Sequence, residues 1–159
     1  MIRKTTAFLL VLFLFLLSVQ KVAAQEVLSP VGFWLTKDKD AIIEIYPCED
    51  NELCGRFYWL KDDSADKPSL DDHNPDPEKK KRRLCGLPFM GGFEKEEGSH
   101  YRGGWIYSIR HGATFSAELT LHAPTRLELR GYIFLPLLGG SQTWTRVDHP
   151  PVCEGLPAR

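Results

Sequence analysis

The chain has 159 residues, of which 43% are hydrophobic and 26% charged, with four cysteines. Its 20 basic and 21 acidic side chains leave a net charge of −1, which offers no surface for nucleic acid. The length fits a short leader followed by one domain.

Arg3 and Lys4 precede an apolar run from Ala7 to Leu17, and Val22-Ala23-Ala24 supplies small residues at a cleavage position. Residues 1–24 therefore read as a secretory signal peptide, cut before Gln25. The apolar run is well short of the roughly 20 residues that span a bilayer, so no transmembrane anchor is expected. No cysteine lies near the cut, which argues against a lipid-anchored product. Removing 24 residues from 159 leaves 135, and losing Arg3, Lys4 and Lys21 brings the charge to −4, from 17 basic and 21 acidic residues. An exported chain, periplasmic or secreted, with an even number of cysteines is expected to hold disulfides, and four cysteines allow three pairings.

Residues 25–147 read as one β-barrel domain and 148–159 as a Pro-rich tail. Gly32–Leu60 opens the domain with two runs rich in Ile, Phe, Tyr and Trp around the polar connection Glu49-Asp50-Asn51-Glu52-Leu53, the signature of a β-hairpin. With Cys48 set opposite Cys54, Ile45 faces Phe57 and Ile43 faces Trp59 on an apolar side. Tyr46 then faces Arg56, and Glu44 faces Tyr58, on a mixed one. Lys61–Arg83 follows, acidic in its first half and basic in its second, and reads as a long solvated loop. Within it, Asp71-Asp72-His73-Asn74-Pro75-Asp76 lacks the alternating spacing and distal Glu of a calcium loop and reads as a turn. The glycines of Leu84–Phe93 suggest a bent strand with bulges.

Strands are expected over His100–Ile109, Thr114–Leu121, Leu127–Ile133 and Ser141–Val147. A three-residue loop ending at Gly112 sets Tyr107 opposite Phe115 and Trp105 opposite Ala117. A two-residue turn at His111-Gly112 instead puts both aromatics on the face away from Phe115. The first arrangement gathers the aromatics with Leu119 and is adopted. No helix is expected in the mature chain. Seven to nine short strands with turn signals between them indicate an all-β, antiparallel barrel of about eight strands, whose closure removes exposed edges.

Several elements recur in a known order: Gly32-x-Trp34, Cys48 with Leu53-Cys54-Gly55-Arg56, Asn74-Pro75-Asp76, Gly103-Gly104-x-Ile106-Tyr107, Arg130-Gly131-Tyr132 and Thr143-Trp144-Thr145-Arg146. From Gly32 to Arg146 the chain resembles the bacterial exported-protein family known as domain of unknown function 2147. The resemblance implies a small lipocalin-like barrel in the bacterial envelope and brings no established catalytic residues. By the same resemblance, Trp34 closes one end of the barrel and Arg146 covers it, with Arg130 as the alternative cover and Trp144 as a competing partner for the Arg. Cys85 and Cys153 depart from the family pattern. The expected disulfides are Cys48–Cys54 and Cys85–Cys153, the second latching the tail to the barrel.

The chemistry-bearing residues offer no catalytic or metal constellation. His73, His100, His111, His122 and His149 show neither helical nor alternate-strand zinc spacing. Ser108 and Ser141 have no context for an activated nucleophile. Glu44 and Glu118 are the acids well inside strands, and Glu118 is expected opposite Arg130 as a charge pair. The expected function is binding without a cofactor: a small hydrophobic or amphipathic molecule held among Ile43, Ile45, Phe57, Trp59, Trp105, Tyr107, Phe115, Leu119 and Leu129. The alternative is an envelope interaction protein with a filled core that uses its exterior or the 61–83 loop.

Overall fold

A computed structural model describes residues 28–156; the leader expected at 1–24 and its cleavage point lie outside them. Eight antiparallel strands close into a barrel in simple sequence order. They are β1 (Gly32–Leu35), β2 (Ala41–Pro47), β3 (Leu53–Leu60), β4 (Pro88–Lys95), β5 (His100–Ser108), β6 (Ala113–Ala123), β7 (Arg126–Tyr132) and β8 (Gly139–Val147). β1 pairs with β8, so no strand is left at an edge. Up-and-down order sends the turns at 36–40, 61–87, 109–112 and 133–138 to one end, called the mouth here. The turns at 48–52, 96–99 and 124–125 and both ends of the barrel chain lie at the other.

The lower end holds a stacked tryptophan–arginine pair. Trp34 is fully buried and donates its indole N–H to the Pro30 carbonyl at 2.7 Å. Arg146, its cross-strand partner, lays its guanidinium 4.2 Å from the Trp34 ring centroid. The same guanidinium donates to the carbonyls of Pro124 (2.6 Å), Val31 (2.8 Å) and Ser29 (2.6 Å). Burial lowers the Arg146 pKa, offset in part by Asp148. Trp144 is also buried, but its indole N–H goes to Gln142.

Above this pair the interior is packed, and glycines make room for the packing. A side chain on Gly104 would begin 2.3 Å from the Phe93 ring, and one on Gly55 would begin 2.7 Å from Met90 Cγ. Phe93, Met90, Ile45, Leu119, Leu121 and Leu127 fill the level between.

The first hairpin keeps its expected faces over most of its length but not its expected partners. Cys48 stands outside the ladder, Tyr46 pairs with Cys54, and the partners of Ile45, Glu44 and Ile43 are Gly55, Arg56 and Phe57. The Cys48–Cys54 disulfide is thus formed across a step of register, with Cα atoms 5.8 Å apart. An extra residue in β3 then aligns Trp59 with Ile42, on the side away from Ile43. Cys85 bonds Cys153, and the Cys153 N–H donates to Tyr58 O at 2.9 Å, so the tail covers the outer face of β3.

The Lys61–Arg83 segment is not simply solvated. Its two charged halves answer each other: Arg82 meets Asp71 at 2.8 Å and Arg83 meets Asp63 at 3.1 Å. Leu70 and Arg83 form an isolated bridge, and Lys79–Lys81 makes one 3-10 turn. The segment lies so close to the barrel that a Cβ on Gly112 would meet the His73 carbonyl at 2.1 Å.

Candidate functional site: the mouth of the barrel

Between the lower end and the mouth turns lies a cavity of about 360 Å³. Ala41, Ile43, Phe57, Leu60, Phe89, Ile106, Leu129 and Trp144 form its apolar walls. Asp38, Asp40, Ser108, Arg110, His111 and Gln142 bring polar groups to it, of both charge signs. Phe57 and Phe89 stack at 4.1 Å and make one rigid wall. A second cavity of about 340 Å³ shares Ile106, Ser108, His111, Leu129 and Gln142 and continues past Phe115 and Gly131 to Ile133 and Leu138.

The residues expected to bind a ligand separate into groups. Ile43, Phe57, Tyr107 and Leu129 line the main cavity, and Phe115 lines the second. Ile45 and Leu119 are buried in the packed level and reach neither. Trp59 and Trp105 also line neither, and both expectations are corrected by register. Trp59 is displaced by the extra residue in β3. Trp105 pairs with Ser116 and not Ala117 because the β5–β6 turn is longer than expected. A bulge farther along β5 then shifts the register by one residue, so that Tyr101 pairs with Leu119 while Gly104 pairs with Ala117. Gly103 sits in that bulge with φ +75°, a conformation that glycine adopts without a Cβ penalty.

The bulge reverses the phase of the strand. Gly104 and Ile106 turn inward, while Trp105 is 41% exposed and lies against Gly91 and Gly92 outside. The strands meet at Ser108 and Ala113, so the turn is one residue longer than expected and Tyr107 faces Thr114, not Phe115. Ile106, Phe89, Leu60 and Trp144 were missed as lining residues. The aromatic alternation of Trp105 and Tyr107 hid Ile106. The Gly103-Gly104 pair was the signal that a bulge could intervene.

Tyr107 lines the cavity, while its hydroxyl is committed elsewhere. The hydroxyl donates to Asp71 at 2.8 Å and accepts from Asn74 Nδ2 at 2.9 Å. Asn74 and Arg82 also donate to Asp71, whose side chain is buried. Burial alone would raise the Asp71 pKa, but hydrogen bonds from Asn74, Tyr107 and Arg82 outweigh it and hold it below the usual carboxylate value. Burial and then the hydrogen bond to Asp71 raise the Tyr107 pKa. This network pins the 61–83 segment to the outer wall beside the mouth.

Other polar pairs are local. Ser108 Oγ lies 2.8 Å from His111 Nδ1 within the β5–β6 turn. Glu118 and Arg130 are cross-strand partners as expected, yet the Arg130 guanidinium turns away to Pro136 O and Ser141 Oγ. Among the described residues, Asp63, Cys85 and Cys153 bring possible metal-ligand atoms within 4.8 Å of one another, but the two cysteines are bonded to each other and offer no thiolate. No helix among those residues is long and apolar enough to cross a membrane.

The chain is similar in fold to a solved structure described as "Protein HP1028 from the human pathogen Helicobacter pylori belongs to the lipocalin family". The TM-score is 0.68 with 21% identity, over 77% of this chain and 85% of that one. No curated protein matches this sequence. A family model described as "Uncharacterized protein conserved in bacteria (DUF2147)" matches residues 32–146. The chain belongs to this bacterial family, with an eight-stranded lipocalin-like barrel as its fold.

Proposed function

We propose that this protein is an exported binding protein that holds a small apolar or amphipathic molecule at the mouth of its barrel. The observation that carries the reading is the mouth cavity, about 360 Å³ with apolar walls and polar groups, in a barrel whose other end holds the stacked Trp34 and Arg146. That volume lies within the roughly 300–1,000 Å³ usual for small-molecule sites. The lower packed level limits the depth, so the ligand is short or enters only in part. Ile43, Phe57, Tyr107 and Leu129 are its proposed contacts from the expected set, joined by Ile106, Phe89 and Trp144. Trp34 and Arg146 act as the floor that keeps water out from below.

Binding is favoured over catalysis because the polar pairs near the cavity are accounted for by turn and buttress geometry. The disulfides and the apolar leader support a periplasmic or secreted location. We propose residues 25–147 as the barrel unit, with 148–159 as a tail latched to it. Native mass spectrometry and lipid extraction of protein purified from its own envelope test the reading. A stoichiometric apolar adduct, displaced by a fatty-acid-like probe, is expected. Protein that carries no adduct and binds no such probe saturably would shift the reading to an interaction protein acting through its exterior or the 61–83 segment.

A further inference from the structure

The β7–β8 turn at the mouth, Ile133-Phe134-Leu135-Pro136-Leu137-Leu138, is built against the usual rule for a soluble surface. Phe134 is 91% exposed and Leu137 85%, and Ile133, Leu135 and Leu138 are each more than half exposed. Taking about 180 Å² for a large apolar residue, they present roughly 600 Å² together, at the upper end for a patch on a monomeric protein. No charged residue occurs between Arg130 and Arg146.

The turn is also held in shape. Ile133 N–H donates to Leu138 O at 3.1 Å, Leu135 N–H to Ile133 O at 2.7 Å, and Leu138 N–H to Leu135 O at 2.9 Å. Pro136 has no N–H to satisfy, and its carbonyl accepts from Arg130 Nε at 2.8 Å and also from Arg130 Nη2. Phe134 has φ +61°, costly for a bulky residue and ordinarily left to glycine or asparagine. The hydrogen bonds of the turn hold the most exposed ring at its tip against that cost.

We propose that this turn inserts into the interface of a lipid bilayer and sets the barrel mouth against the membrane. Three features choose a bilayer over a second copy or a protein partner. Its two most exposed side chains, Phe134 and Leu137, stand out from the turn while Ile133 and Leu138 border the second cavity. The patch area falls short of the about 800 Å² per partner of a standard protein interface. Its internal hydrogen bonds satisfy much of its own backbone, as a segment entering hydrocarbon requires. The neighbouring mouth turn at 36–40 carries Lys37 and Lys39 against Asp38 and Asp40, so attraction rests on apolar contact and not on net charge. The inference does not depend on what the cavity holds.

The test is co-sedimentation of the purified protein with phosphatidylcholine vesicles, with the same N-terminus in wild type and variants. Wild type is expected to partition onto vesicles with little dependence on salt. The double variant F134S/L137S, changed only at exposed side chains, should partition at least about tenfold less with an unchanged urea midpoint. Leu28→Ser, at the lower end, should partition like wild type. In Phe134→Trp, brominated lipid should quench the introduced indole beyond any quenching of wild type. Equal partitioning of wild type and the double variant would overturn the proposal. So would failure of wild type to bind vesicles while it forms a dimer that the double variant does not.

Discussion

Arg146→Ala should loosen the lower end of the barrel. The side chain makes three charge-assisted hydrogen bonds to carbonyls, at 2.6, 2.8 and 2.6 Å, and stacks 4.2 Å from the Trp34 centroid. Hydrogen bonds to charged groups contribute about 1.5–3 kcal/mol each, and an exposed cation–π contact about 0.5–1. The contributions do not add in full, because water can reach part of this end and because one side chain makes them all. A loss of about 3–5 kcal/mol is expected, read as a lower urea midpoint at unchanged m, with a fall in Tm of about 10 °C or more. Arg146→Lys should recover only a minor part, since an ammonium cannot present the planar fork to three carbonyls on different segments. A loss below about 1 kcal/mol for the Ala variant, or full rescue by Lys, would refute the reasoning.

Gly104→Ala should cost about 1–3 kcal/mol, because its Cβ would meet the Phe93 ring at 2.3 Å; adding Phe93→Leu should return part of the loss in urea melts. Cys153→Ser should lower stability by about 4 kcal/mol through the long loop that the Cys85 bond closes, with the tail then cut early in limited proteolysis. The Asp71 carboxyl has its folded pKa below the ordinary 3.8, so its contribution is full above that value and is lost as pH falls through the lowered one. Hydrogen exchange should therefore show the 61–83 segment loosening below about pH 4 in wild type, and already loosened at neutral pH in Asp71→Asn.

Much of the architecture was legible because closure is a repeated local pattern. Phe115, Ala117, Leu119 and Leu121 alternate with polar residues, and β6 takes the inward face that this alternation requires. The glycines that follow Tyr101 and Phe89 break the same logic in β5 and β4. Gly103 and Gly92 adopt positive φ, and an inserted residue moves every later side chain to the other face. Trp105 looked like a lining because large aromatics usually seek the core. Here it is accommodated outside, over Gly91 and Gly92, while Tyr107 lines the cavity and sends its hydroxyl to the 61–83 segment. That segment's order was hidden because its pairing is between distant charges, Asp71 with Arg82 and Asp63 with Arg83, which local charge runs do not reveal. Arg130 was weighed as a cover for Trp34, whereas its guanidinium braces the β7–β8 turn.

The mouth cavity, and not the aromatic outer wall, is proposed to receive the ligand, and two neighbouring residues separate the two. Ile106 lines both cavities while Trp105 lines neither. Titration of a fluorescent fatty-acid-like probe against wild type, Ile106→Trp and Trp105→Ala, each checked by urea melt, tests it directly. Saturable binding to wild type and to Trp105→Ala is predicted, with binding to Ile106→Trp weakened at least about tenfold by the filled space. Loss of binding in Trp105→Ala with Ile106→Trp unaffected would contradict the account, and so would the absence of saturable binding by the wild type.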